Sequence, residues 1–128
     1  MSERIIINLP GSTPITPLSP AIVAGGFVFV SGQVGFDPVE RRFYGDDAAS
    51  QIRGMLENLK TILVQAGSSL SKVVKTTVFL ADIRDFAAMN GAYAEFFIGS
   101  RPARACVEVA NIPRGALVEI EAVAYIGE

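Results

Sequence analysis

The chain has 128 residues, half of them apolar and 19% charged, with a formal net charge of −2 and no histidine. This length and composition predict one globular domain over residues 1–128, large enough for a core that needs neither disulfide nor metal. The 11 basic and 13 acidic residues are scattered, which makes nucleic acid an unlikely partner, and the missing histidine removes Ser-His and Cys-His pairs, HExxH sites and imidazole bases.

The single cysteine, Cys106, forms no internal disulfide and no Cys-rich zinc site. No apolar run is long enough to cross a bilayer, and "MSERIIINLP" does not read as a signal peptide. The expectation is a cytoplasmic protein without membrane contact.

In chain order, Arg4 to Asn8 ("RIIIN") is a short β-branched run stopped by Pro10-Gly11, an edge or first strand. "GSTPITPLSP" carries three prolines and reads as an ordered loop. "AIVAGGFVFVSGQVGFD" predicts two strands turning at Gly25-Gly26, with Phe27 to Val30 buried on both faces, and then a loop to Asp46. From there the period becomes helical: Ile52, Met55, Leu56, Leu59, Ile62, Leu63 and Ala66 share one stripe. Asp46 or Asp47 can cap its start and Gly67 its end. "SKVVKTTVFLAD" is a strand, and Asp85 opens a second helix with Phe86, Met89, Tyr93, Phe96 and Phe97 inward. "RACVEVA" and "ALVEIEAVAYI" alternate with period two on either side of "NIPRG".

The order β-ββ-α-β-α-β-β gives an α+β, two-layer fold, in which two helices cover only one face of the sheet. Several strands are nevertheless apolar at both parities, so the uncovered face is expected to meet another subunit. Sites on such a sheet would lie in clefts between subunits.

Two motifs carry little. Ser69-x-x-Lys72 matches the pattern of serine acyl-transfer enzymes but lacks their other motifs, so it reads as a turn. Ser31 to Gly35 ("SGQVG") is no phosphate loop, since no Lys-Ser/Thr helix follows.

"RACVEVA" carries more. As a strand it points Arg104, Cys106 and Glu108 one way and the alternate residues the other. Arg104 then either pairs with a glutamate on a neighbouring strand or holds a substrate carboxylate by a bidentate fork. Glu119 and Glu121 share one parity: one could pair with an arginine, the other face a cleft. Cys106, with no histidine to activate it, reads as a small hydrophobe.

Three segments, "SGQVGFDP", "MLENLKTILVQAGSSLSKVVKTTVFLADIRDFAAMNGAYAEFF" and "RPARACVEVANIPRGALVEIEAVA", resemble the RidA/YjgF family of reactive-intermediate deaminases, also called the endoribonuclease L-PSP family. The resemblance runs from about Ala21 to Tyr125. It implies a chorismate-mutase-like fold and a homotrimer with a central β barrel, helices outside, and three clefts between subunits. It also implies hydrolysis of 2-imino acids and their enamine tautomers (2-aminoacrylate, 2-iminobutanoate) to 2-keto acids and ammonia, without metal or cofactor. By resemblance Arg104 binds the substrate carboxylate, and Glu119 is associated with the hydrolytic water. Cys106 offers backbone groups to the cleft, Ser31 and Gly32 line it, and Asn90 matches the asparagine of the second helix.

Thr16 to Ala21 ("TPLSPA") departs from the pattern G-P-Y-S-Q-A seen in many members. Leu18 stands where the family often has a tyrosine near the substrate, which puts substrate preference and rate in question. Non-catalytic binding of a keto acid or other carboxylate is the alternative from another class, as are ribonuclease or translation-inhibitor activity and a chaperone-like role. Arg101, Glu108 and Glu121 are expected to be structural or solvent-facing.

Overall fold

A computed structural model of the chain describes residues 3–8 and 17–127. The proline-rich loop expected from Gly11 onward lies, for residues 11–16, outside the described residues.

The N-terminal β-branched run forms β1 (Ile5–Ile7). β2 (Ala21–Ala24) and β3 (Phe27–Val34) follow as the expected hairpin. Gly25 and Gly26 both take positive φ at its turn, which a two-residue hairpin of matching twist requires. The next loop holds structure that the sequence reading missed. Residues Phe36–Asp37 and Arg42–Phe43 pair as β4 and β5, with the Phe36 and Phe43 rings edge to face at 5.4 Å. Two-residue strands leave no periodicity to detect.

Helix α1 (Ala48–Gln65) is capped by Asp47, whose Oδ1 accepts from Ser50 N–H at 3.2 Å. It ends at Gly67 (φ 84°), where Ser68 N–H donates to Leu63 C=O and Gly67 N–H to Val64 C=O. This is a Schellman closure, for which glycine is suited because it takes positive φ without a Cβ clash. β6 (Val73–Leu80) leads to α2 (Phe86–Phe96). Asp85 makes no side-chain cap there. Instead Asp82 receives Arg84 N–H and caps the preceding 3-10 turn. The chain closes with β7 (Ala103–Glu108) and β8 (Val118–Tyr125), joined by a turn in which Arg114 and Gly115 both have positive φ.

The six-stranded sheet runs β1-β2-β3-β8-β6-β7. β7 pairs parallel to β6 through the α2 crossover, and β8 returns antiparallel between β3 and β6. Hence "RACVEVA" and "ALVEIEAVAYI" are not neighbours, as their closeness in sequence suggested; β6 separates them.

The helices cover one face. Ile52, Met55, Leu56, Leu59, Ile62 and Leu63 of α1 are fully buried against Val28, Val78, Val118 and Ile120. The expected stripe of α2 is partly corrected: Met89, Tyr93 and Phe97 are buried, while Phe86 is 37% exposed. Phe27 to Val30 are likewise not buried at both parities within the chain. Val28 and Val30 are buried, whereas Phe27 and Phe29 are 43% and 48% exposed on the open face. No helix among the described residues is long and apolar enough to cross a membrane.

Candidate functional site

Arg104 lies on edge strand β7 in register with Thr76 of β6, whose buried side chain faces the helices. Its side chain therefore turns under α2. Phe86, Met89, Asn90 and Tyr93 occupy one stripe of that helix by their i, i+3, i+4, i+7 spacing. The guanidinium carbon sits 4.9 Å from the Tyr93 ring centroid and 5.7 Å from that of Phe86, and Nη1 donates weakly to the Met89 sulfur at 3.9 Å. Tyr93 is in turn fixed by a 2.7 Å hydroxyl contact with Thr76. Among the described residues no carboxylate pairs with Arg104. Of the two readings open for Arg104, the salt bridge to a glutamate on the next strand does not form, because that next strand is β6.

Arg104 opens into a groove of about 750 Å³ between α2 and the chain entering β7, lined also by Asn90, Phe97, Ile98, Arg101 and Pro102. Asn90 Oδ1 is the one buried side-chain nitrogen or oxygen among the described residues without a hydrogen-bond partner. An unpaired buried acceptor costs about 1–3 kcal/mol, and Asn90 is among the residues that line this groove. Arg101, read from the sequence as structural or solvent-facing, belongs to this groove. It precedes Pro102, outside any periodic segment, so the pattern gave no signal for it.

Cys106 follows on the same face of β7, half-buried against the core. Burial pushes its thiol above the ordinary value, and the nearby Arg104 charge opposes this only in part. The thiol is protonated at neutral pH and is not poised as a nucleophile.

Glu119 lies elsewhere. It pairs in register with Val34 of β3 and Phe79 of β6, on the sheet face that no helix covers. Phe79 is also the partner of Val107, which has the opposite parity to Arg104 on β7. Arg104 and Glu119 thus stand on opposite faces of the sheet, with β6 between their strands. Two strand spacings of ~4.8 Å add to that separation.

Around Glu119 the structure is built closely. The β3–β8 register shifts between Val30 and Gln33; this irregularity turns Ser31 and Gly32 out of the ladder. A Cβ on Gly32 would collide with Glu119 Oε2, so the absent side chain is what admits the carboxylate. Ser31 is tied to the preceding loop: its hydroxyl donates to Ser19 C=O at 2.5 Å and its N–H to Pro20 C=O at 2.9 Å. Leu18, one residue before Ser19, is 58% exposed and belongs to this half; Thr16 lies outside the described residues. Burial raises the Glu119 carboxyl above the ordinary range, and the like charge of Glu121 adds to it. Glu121 shares the open face, beside Lys75 and Thr77. Glu108 is structural, accepting Ile83 N–H at 2.8 Å.

The family model described as Endoribonuclease L-PSP matches residues 10–126. The chain belongs to the RidA/YjgF family. A RutC family protein from Pyrococcus horikoshii is 47% identical over 123 residues, covering 96% of this chain and 98% of that one. The structure of YyfA, a Rid family protein of unknown function from Yersinia pestis, superposes with a TM-score of 0.92 at 37% identity, covering 97% of this chain and all of that one. E. coli TdcF with bound serine gives a TM-score of 0.89 at 37% identity, covering 96% and 99%. The RidA/YjgF fold is thus the chorismate-mutase-like α+β sandwich expected from the sequence.

In RidA/YjgF terms, the chain brings Arg104, Asn90 and Cys106 together on the helix side. Ser31, Gly32, Glu119 and, by way of Ser19, Leu18 come together on or beside the open face. It does not bring the two groups to one point. Among the described residues no cluster of three or more His, Cys, Asp or Glu side chains could hold a metal ion.

Proposed function

We propose that the protein hydrolyses 2-imino acids and their enamine tautomers to 2-keto acids and ammonia, in clefts where two copies of the chain meet. Family membership supports this reaction class, and the observation that carries it here is Arg104: a guanidinium held on two aromatic rings, free of any carboxylate among the described residues, facing a groove. Such a group is a ready bidentate anchor for the C1 carboxylate. TdcF, which holds serine, supports a site for small amino-acid-like carboxylates.

Glu119 of a second copy supplies the base. The open apolar face bearing Phe27, Phe29 and Val107 suits burial between copies, and a homotrimer with a central barrel is the assembly we assign. Arg104 fixes the carboxylate, and Asn90 Oδ1 accepts from the imine N–H. Water attacks C2 of the protonated imine as one of its protons passes to the Glu119 carboxylate, giving a neutral carbinolamine. Glu119 then returns that proton to the nitrogen and takes the carbinolamine hydroxyl proton as the C–N bond breaks, so that C2 becomes a carbonyl and ammonia leaves, carrying the proton away as ammonium. A protonated imine is already electrophilic, so a carboxylate base suffices, contributing ~10²–10⁴-fold.

The test is to generate 2-iminobutanoate in a coupled assay and follow its loss. Arg104→Ala should lower kcat/KM by about 10²-fold, the scale of two lost charge-assisted hydrogen bonds. Equal rates in wild type and variant would remove Arg104 from the reaction. Binding of 2-oxobutanoate without any accelerated imine loss would establish the second reading, a carboxylate-binding protein.

A further inference from the structure

The groove beside Arg104 has more cationic capacity than a monocarboxylic imino acid uses. Arg101 and Arg104 both line it, and no Asp or Glu does. Neither arginine has an ion-pair partner among the described residues, and Glu95, the acidic residue of α2, is taken by Arg53 at 2.9 Å. Arg101 lies outside β7, and both arginines line the same groove, so one ligand in it can meet both. The apolar part of its lining, which includes Phe97, Ile98 and Pro102, suits a short methylene chain.

We infer that this groove selects a 2-imino dicarboxylate, with Arg104 on the C1 carboxylate and Arg101 on the distal one. The inference rests on the hydrolytic reading above. The overall change is balanced: imine and water give the 2-oxo dicarboxylate and ammonia. Arg101 is a specificity residue that acts on the charged end of the substrate, away from C2. A groove that presents two guanidiniums favours a second carboxylate over a methyl group, because the apolar analogue leaves one cation without its counter-charge.

The test compares 2-iminoglutarate with 2-iminopentanoate, chains of equal length that differ at the far end, each made in situ by an amino-acid oxidase. Wild type should show kcat/KM at least ~10-fold higher for the dicarboxylate, the scale of one charge-assisted contact. Arg101→Ala should reduce the ratio of the two kcat/KM values by a similar factor, and Arg101→Lys should retain part of it. A wild-type ratio near one, or a ratio unchanged in Arg101→Ala, overturns the inference. If wild type accelerates loss of neither imine, the hydrolytic reading falls, and calorimetric titration with 2-oxoglutarate and 2-oxopentanoate decides the groove. A preference for the dicarboxylate that disappears in Arg101→Ala supports the assignment; equal affinities, or binding of neither, overturn it.

Discussion

The two faces of this sheet solve the problem of holding a charged side chain in different ways. On the helix side, Arg104 is laid over Tyr93 and Phe86, which face its planar cation without neutralising it. On the open side, Glu119 sits over Gly32 at a register shift, with burial and Glu121 both raising its carboxyl. One half is a preformed cation awaiting an anion; the other is a destabilised carboxylate ready to take a proton. Under the proposed function each half supplies what the other lacks.

Glu119→Gln breaks the open half most deeply. Activity should fall ~10²–10⁴-fold, the range for loss of a general base. Its pH profile sharpens the point. The ionised form is the base, so activity falls as pH drops through a raised value, and the acid limb of kcat/KM should lie above the ordinary glutamate value of about 4.3. The same shift has the opposite sense for folding. A carboxyl raised in the folded state favours the protonated form, so its stabilising contribution is present at low pH and lost as pH rises. At neutral pH Glu119→Gln should therefore melt no lower than wild type while losing activity; a lower melting temperature would contradict the assigned environment.

Gly32→Ala sharpens the comparison next. The added methyl meets Glu119 Oε2, so activity should drop by at least ~10-fold, since small misplacements of a reacting group cost up to ~10². Affinity for a keto acid held by Arg104 should change less, and an equal loss of binding and turnover would argue that the halves are not separable. The smallest effect belongs to Tyr93→Phe, which removes the hydroxyl contact with Thr76 but keeps the ring under Arg104. Stability should fall by about 1 kcal/mol, read from denaturant unfolding, with only a few-fold rise in KM.

The division between faces was only half legible in the sequence. Alternation in "RACVEVA" set Arg104 and Cys106 on one face, and the α1 stripe from Ile52 to Leu63 was plain because eighteen helical residues repeat the pattern many times. Strand order was not legible: β7 joins the edge in parallel while β8 enters the middle, a non-local choice made by packing rather than by any short segment. Without that order, Arg104 could be offered a glutamate partner that lies two strands away. The register shift at Ser31-Gly32 also escaped, since a single displaced residue leaves no period. Asn90 came from family resemblance alone, and its significance is its orphaned oxygen, a property of the folded groove.

The central claim is that Arg104 of one copy and Glu119 of another make one active site. Arg104→Ala and Glu119→Gln, each strongly impaired alone, should be unfolded together, refolded as mixed oligomers and assayed for imine hydrolysis. Random mixing joins an intact Arg104 half to an intact Glu119 half in about a quarter of the clefts, so activity should return to that order of the wild-type rate. Recovery no greater than the sum of the two separate variants would contradict the account.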